Sequence, residues 1–203
     1  LCDSAERIVA AMSRAADSCD LAVPEAAAIE NIIGLGLQES VAALFPAQEQ
    51  SCYDALKRSY SSHFIELDRE PSPLFDGALG MLTECRSRGH QLAVATGKSR
   101  RGLNRVLSAH GLEMCFDASR CADETLSKPD PLMLHELLEE TGSPASGALM
   151  IGDTEYDLEM ASNAGIASVG VSYGSHSRER LHAHNPLGIV DSVRELLELD
   201  CFA

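Results

Sequence analysis

Short apolar segments alternate with helical patterns from Leu74 onward, and this alternation constrains the fold more than any other feature of the sequence. Strands are predicted at 91–96, 148–151 and 167–171, with a shorter one at 114–117. The segments between them carry the cap residues and glycine stops that are typical of helices. Buried strands joined by helices of this length predict an α/β fold with a Rossmann-like parallel sheet that helices cover on both faces.

The first seventy residues show helical patterns only. Apolar residues recur there every three or four positions, and no strand pattern interrupts them. Pro71 and Pro73 end this stretch at the point where the predicted strands begin. We therefore expect a boundary between a helical part and an α/β part near Pro73.

Charge and cysteine content exclude several classes of protein. The 203 residues include 31 acidic and 16 basic side chains, a formal net charge of −15, which argues against nucleic acid or an anionic membrane as a partner. No apolar run approaches the roughly 18 residues of a transmembrane helix. The seven cysteines include no C-x-x-C pair. They fit unpaired thiols in a reducing, cytoplasmic compartment better than disulfides or a structural zinc site.

Polar side chains occur in three places, either directly after a predicted strand or in a loop near the end of one. In an open parallel sheet, ligands bind at the carboxyl ends of the strands. Thr96 and Gly97 provide a hydroxyl, an accessible backbone and a helix N-terminus, a combination that suits an anion. Lys128 comes before Pro129 at the head of the next helix, and a cation held there suits phosphate.

The third group of polar residues near a strand end contains two carboxylates. Asp153 and Asp157 follow the strand at 148–151 and are four residues apart, which suits magnesium, a hard cation that prefers oxygen ligands. Each of these residues also has an explanation without a ligand: Thr96 and the aspartates could cap helices, and Lys128 could be a solvated surface lysine. Their occurrence together at successive strand ends favours a binding site.

Three segments resemble motifs two, three and four of the haloacid dehalogenase-like hydrolase superfamily: Leu92-Ala-Val-Ala-Thr-Gly-Lys98, Ser127-Lys-Pro-Asp-Pro131 and Gly152-Asp-Thr-Glu-Tyr-Asp157. Phosphoglycolate phosphatase-like members are the most similar, on the evidence of Ile32-Ile-Gly-Leu-Gly-Leu-Gln38, Ala164-Gly165 and Gly170-Val-Ser-Tyr-Gly174. The resemblance implies an α-helical cap over 4–73, inserted into an α/β core formed by 1–3 and 74–203.

The resemblance also implies a chemistry. It indicates a Mg²⁺-dependent phosphatase that hydrolyses a small phosphorylated metabolite, phosphoglycolate-like or a sugar phosphate, through an aspartyl-phosphate intermediate. Thr96, Lys128 and Asp153 would then be catalytic, and Thr96, Gly97 and Lys128 would bind the phosphate. Asp153 would bind the metal, and Asp157 would be its second carboxylate, which supports the metal site from behind the ligands or through a water molecule.

The family's first motif, D-x-D-G-T followed by L-x-D-S, is matched only in its second half, because the sequence opens with Leu1-Cys2-Asp3-Ser4. We therefore expect the nucleophile and the first strand upstream of residue 1, and we do not assign Asp3 as the nucleophile. A catalytically inactive phosphate-binding or interaction protein and a phosphoglucomutase-like phosphotransferase stay open as alternatives. The acidic pair Asp153 and Asp157 argues against a 2-haloacid dehalogenase.

Other patterns are given no site. The Gly34-Leu35-Gly36 segment lacks both the third glycine and the preceding strand of a dinucleotide-binding motif, and it predicts a helix break. His182 and His184 are expected at the surface. In a cap, substrate contacts would be expected from the turn at 34–36 and from one helical stretch, although ordinary packing and solvation are the favoured explanations. That stretch contains Lys57, Arg58, Tyr60 and His63.

Overall fold

The computed structural model describes residues 1–199, and Cys201 lies outside this range. Its strands are β1 (Ala93–Thr96), β2 (Ala118–Cys121), β3 (Leu149–Gly152), β4 (Ala167–Val171) and β5 (Gly188–Val190). Its first helices are α1 (Ala5–Ser18), α2 (Ala26–Asn31), α3 (Leu37–Leu44), α4 (Gln50–Leu67) and α5 (Ala78–Ser87). The others are α6 (Arg100–Ala109), α7 (Leu132–Thr141), α8 (Glu155–Asn163), α9 (Arg178–His182) and α10 (Val193–Leu196).

All the strand pairs are parallel, which confirms the predicted α/β class. Strand β1 pairs with β2, so that Ala93 lies opposite Ala118, and β3, β4 and β5 form a second sheet in that order. The single sheet expected from the sequence is therefore two sheets in the described chain. Strand β5 was not predicted, because its three residues give too short an apolar run.

The strand predicted at 114–117 was wrong, because the strand lies four residues later in the sequence. Strand β2 begins at Ala118, whereas Met114 lies in a turn and is 89% exposed. The backbone N–H of Asp117 donates to the Leu92 carbonyl, 2.7 Å away, and pairing with β1 begins at the next residue. The chain therefore becomes a strand only where it reaches the edge of β1, which the apolar pattern does not show.

Strands β1 and β3 face each other without pairing. Between them lies a cavity of about 1010 Å³, lined on one side by Val94 and Ala95 and on the other by Met150 and Ile151. The cavity extends to the carboxyl ends of both strands. Helices α7 and α8 bury Met133, Leu137 and Met160 in one apolar cluster, and Val169, Val190 and Leu196 of the second sheet and α10 form another.

Helices α1 to α4 pack around an apolar core of their own. Met12, Ala16, Ile29, Val41 and Leu56 are buried there, and the stripe of α1 meets α4 because its apolar residues recur at helical spacing. The break at Gly34-Leu35-Gly36 separates α2 from α3. A backbone bridge between Cys2 and Leu74 brings the two ends of the helical segment (residues 4–73) together. Within residues 1–199, no helix is long and apolar enough to cross a membrane.

Candidate active site

Thr96 is the last residue of β1, and its side chain shapes the turn that follows. The Thr96 Oγ1 accepts a hydrogen bond from the Lys98 backbone N–H at 3.2 Å, and Ser99 caps α6 by accepting from the Gly102 N–H. Gly97 lies against the helical segment: a Cβ added there would be 2.4 Å from the Leu35 carbonyl oxygen. Only glycine therefore lets this turn lie so close to residues 34 and 35.

Lys128 and Asp157 form a buried ion pair. The Lys128 Nζ lies 2.5 Å from the Asp157 Oδ1. The other carboxylate oxygen, Oδ2, accepts hydrogen bonds from the backbone N–H and the hydroxyl of Thr154, at 3.1 and 2.7 Å. Thr154 caps α8 in return by accepting from the Asp157 N–H. Both Asp157 oxygens are thus engaged by the protein.

Asp153 has a different environment. Its Oδ2 accepts a hydrogen bond from the Ser175 backbone N–H at 2.9 Å, and its carbonyl accepts one from the His176 N–H. Its Oδ1 accepts none from any residue in 1–199, and the side chain lines the cavity. Gly174 makes the close approach possible, because a Cβ there would lie 2.2 Å from the Asp153 Cβ.

The sequence did not predict that the loop 172–177 holds the Asp153 carboxylate in place. Besides Ser175, this loop supplies His176, which is buried and whose Nδ1 accepts a hydrogen bond from the Glu155 N–H at 3.1 Å. Burial lowers the pKa of His176, which favours the neutral ring that can accept this bond. The segment Gly170 to Gly174 was noted only for its resemblance, and no spacing rule connects it to Asp153.

The five predicted residues line the same cavity: Thr96, Gly97, Lys128, Asp153 and Asp157. We call them the strand-end site. His182 is exposed and His184 half-buried, and neither lines this cavity. Of the helical segment's candidate residues, Gly34 and Leu35 reach the cavity, as does Tyr60, whereas Lys57, Arg58 and His63 do not. The Gly36 N–H also donates to the Ser127 Oγ at 2.7 Å, which joins the segment to the loop that carries Lys128.

The donor set fits one hard cation held by few protein ligands. No group of three or more His, Cys, Asp or Glu side chains suited to a metal occurs within the described chain. Asp153 nevertheless offers an oxygen that no described residue occupies, at the edge of a cavity with room for water and a substrate oxygen. Mg²⁺ is commonly bound by one or two carboxylates together with waters and phosphate oxygens, so Asp153 is the residue that fits it.

The chain is similar to known proteins over most of its length. The family model for haloacid dehalogenase-like hydrolases matches residues 1–171. The chain is 33% identical over 202 residues to "Probable phosphatase IndB" of Dickeya dadantii, covering 97% of this chain and 87% of that protein. It is 30% identical to a 5'-nucleotidase of Pseudomonas aeruginosa, covering 98% and 91%, and 32% identical to a phosphoglycolate phosphatase of Vibrio parahaemolyticus, covering 69% and 62%.

A solved structure of a predicted phosphatase from Clostridium acetobutylicum is also similar, with a TM-score of 0.82 and 27% identity over 98% of this chain and 94% of that one. The chain belongs to the haloacid dehalogenase-like hydrolase family. Within that family it is similar to phosphoglycolate phosphatases, and its curated relatives place it among the phosphoric monoester hydrolases.

Proposed function

We propose that the full-length protein is a Mg²⁺-dependent phosphatase of a small phosphorylated metabolite, either a phosphoglycolate-like ester or a sugar phosphate. The observation that carries the proposal is the convergence of a hydroxyl, an ammonium and a carboxylate on one cavity at the carboxyl ends of β1 and β3. Phosphoryl transfer requires mainly positioning and charge neutralisation, and these groups supply both. They also give a protein of net charge −15 a site where an anion can bind.

Each residue has a distinct part in the proposed reaction. The Thr96 hydroxyl and the backbone at Gly97 hydrogen-bond the phosphoryl oxygens, next to the N-terminus of α6. The Lys128 ammonium neutralises their charge, held in place by Asp157. Asp153 holds the metal, which supplies further charge neutralisation of the phosphoryl group when bound. Asp157 contributes to the metal site only indirectly, since its carboxylate oxygens accept hydrogen bonds from Lys128 and Thr154.

The nucleophile is proposed to come from a strand between β1 and β3. Strand β1 is paired only with β2, and β3 only with β4, so that the edges of β1 and β3 that face each other are unpaired. Apolar side chains of both strands line the cavity between them. An extended segment that follows this course would end beside Thr96 and Asp153, where its aspartate could attack phosphorus. Asp3 is not suited to that role, because it is exposed and its N–H bonds the Pro73 carbonyl in the connection to the helical segment.

Residues 4–73 are proposed to act as the cap that closes over the substrate and excludes water. The contacts of Gly36 with Ser127 and of Leu35 with Gly97 support this, because they hold the turn at 34–36 against the loops of the strand-end site. A cytoplasmic location is part of the proposal. It rests on the unpaired state of the six described cysteines, namely Cys2, Cys19, Cys52, Cys85, Cys115 and Cys121.

The test is phosphate release by the full-length protein with and without Mg²⁺, with 2-phosphoglycolate and sugar phosphates as substrates. We expect Asp153→Asn to lower kcat/KM at least about 100-fold, as expected when a group that acts in the transition state is lost. Asp17→Asn, at an exposed position of α1, is the control and should leave turnover unchanged. Undiminished turnover of Asp153→Asn at saturating Mg²⁺ would contradict the assignment, and recovery of a transferred phosphoryl group from a sugar 1-phosphate would indicate a phosphotransferase.

A further inference from the structure

The helical segment contacts the α/β core in two separate places. One lies where the chain enters and leaves the segment: the Asp3 N–H donates to the Pro73 carbonyl at 2.8 Å, and Asp68 pairs with Arg105 of α6. The other is the stretch 31–36, at the end of α2 and in the turn after it, far along the chain from both connections. Because hinges lie in connecting segments, a movement of the helical segment would separate it from the core at this stretch.

Two hydrogen bonds join the stretch 31–36 to the core within residues 1–199. The Gly36 N–H donates to the Ser127 Oγ at 2.7 Å, and the Tyr156 hydroxyl donates to the Asn31 carbonyl at 2.9 Å. Asn31 is the last residue of α2, and the last carbonyls of a helix have no partner within that helix. Tyr156 therefore supplies a donor that α2 itself lacks.

Neighbouring residues of the core hold Tyr156 in place. Its ring packs in a T-shaped arrangement with the ring of His176, with the centroids 5.4 Å apart. His176 is buried, and its backbone N–H donates to the Asp153 carbonyl. The Arg180 guanidinium, which is paired with Glu155, also lies beside the phenol. Because the ring is already held, little conformational entropy is lost when its hydroxyl binds the helical segment.

Tyr156 and Asn31 both lie outside the cavity between β1 and β3. The strand proposed for that cavity therefore replaces neither partner of their hydrogen bond. Gly34 packs against the same helix end, since a Cβ added to it would be 2.7 Å from the Thr154 Oγ1. The start of α8 is thus a surface on which the stretch 31–36 rests.

We propose that Tyr156 is a positioning residue that keeps the helical segment closed over the strand-end site, through the hydrogen bond of its hydroxyl to the Asn31 carbonyl. This inference rests on the proposed role of residues 4–73 as a cap and adds the side chain that holds the cap closed. Because Tyr156 lies outside the cavity, its hydroxyl acts on the position of the cap and not on the phosphoester. Loss of the hydroxyl lowers the fraction of molecules that are closed.

Hydrogen exchange of the full-length protein, without metal or substrate, measures this opening. The Gly36 amide is bonded to the core, so it exchanges when the cap leaves the core. The amides of Met12 and Leu56, within α1 and α4, exchange when the helical segment itself unfolds. In Tyr156→Phe we expect exchange at Gly36 to be about 2- to 10-fold faster, the factor for the loss of one hydrogen bond, and exchange at Met12 and Leu56 to be unchanged.

Tyr53→Phe is the matched control. It also removes a hydroxyl that donates to a backbone carbonyl, that of Phe45 at 3.0 Å, but this bond lies inside the helical segment. Exchange at Gly36 should keep its wild-type rate in this variant. An unchanged Gly36 rate in Tyr156→Phe would overturn the role of Tyr156, and so would an equal acceleration of the helix amides and Gly36.

Kinetics with Mg²⁺ separate this inference from the proposed function. With 2-phosphoglycolate, or the sugar phosphate that the wild type hydrolyses, Tyr156→Phe should raise KM and leave kcat within about twofold, because the apparent affinity falls with the closed fraction. A lower kcat at unchanged KM would contradict a positioning role. If no phosphoester is hydrolysed but the exchange pattern is found, the phosphatase proposal fails and the role of Tyr156 in closing the segment stands. If phosphate is released and Gly36 exchanges equally fast in both proteins, the reverse holds.

Discussion

The Lys128 ammonium and the Asp157 carboxylate are 29 residues apart in sequence and 2.5 Å apart in space. Their side chains are 7% and 6% exposed, so water hardly screens the pair. Asp157 belongs to the first turn of α8, and Lys128 to the loop before α7. The pair therefore fixes the position of a cation at the strand-end site from a neighbouring helix.

Replacement of Lys128 by methionine should reduce both activity and stability. The buried Asp157 Oδ1 would lose its partner, which typically costs about 3–5 kcal/mol of unfolding free energy. Urea unfolding measures this loss. In the double variant Lys128→Met/Asp157→Asn we expect part of it to be recovered, because no unpaired charge stays buried. Strict additivity of the two single variants would show that the pair is not energetically coupled.

Gly174→Ala should disturb Asp153 selectively. The new methyl group would lie about where the Asp153 side chain is now, 2.3 Å from its Oδ2, so the carboxylate or the loop 172–177 must move. We expect the Mg²⁺ concentration for half-maximal activity to rise at least about 10-fold, since a displacement of a ligand by about 1 Å is sufficient to weaken a site. A metal titration of phosphate release measures this.

Gly80→Ala is the matched control for Gly174→Ala. Gly80 lies within α5, is exposed, and has no atom within 4 Å of the added Cβ. Alanine there should stabilise the protein by up to about 1 kcal/mol through helix propensity and leave the Mg²⁺ titration unchanged. A similar shift of that titration in both variants would count against a specific effect on Asp153.

Asp68 should make the stability of the protein dependent on acidic pH. Burial alone would raise the pKa of its carboxyl group, but hydrogen bonds from Arg7, Ser72 and Arg105 outweigh burial and lower it. The stabilisation is therefore complete above the unfolded-state pKa of about 4 and is lost as the pH falls through the lower folded-state pKa. Asp68→Asn should cost about 2 kcal/mol at pH 7.

Urea denaturation of the wild type and Asp68→Asn between pH 7 and pH 3 provides the test. The difference in unfolding free energy should be constant down to about pH 5 and shrink below it. A difference that stays constant down to pH 3 would show that Asp68 does not carry this dependence. Because Asp68 ends α4 and Arg105 belongs to α6, the same bonds tie the helical segment to the α/β core.

Local patterns were sufficient to predict the fold class, and the residues predicted for the site line one cavity. The strands at 148–151 and 167–171 carry enough apolar residues to be recognised, and β3 and β4 lie within one residue of these bounds. The strand at 114–117 failed because the apolar Met114 and Phe116 belong to a turn beside β1. Short strands such as β5 are decided by their neighbours, and their own residues give too weak a signal.

Thr96, Lys128 and Asp153 could be selected from the sequence because a parallel sheet places the residues after its strands at one edge. The sequence by itself therefore determined the order of strands and helices and the chemical groups at the strand ends. Only the tertiary structure decided which groups meet: the pairing of Asp157 with Lys128, the support of Asp153 by Ser175 and the position of the Lys98 ammonium beside the Phe64 ring. The physical reason is that backbone pattern is local, whereas burial and ion pairing depend on segments brought together from distant parts of the chain.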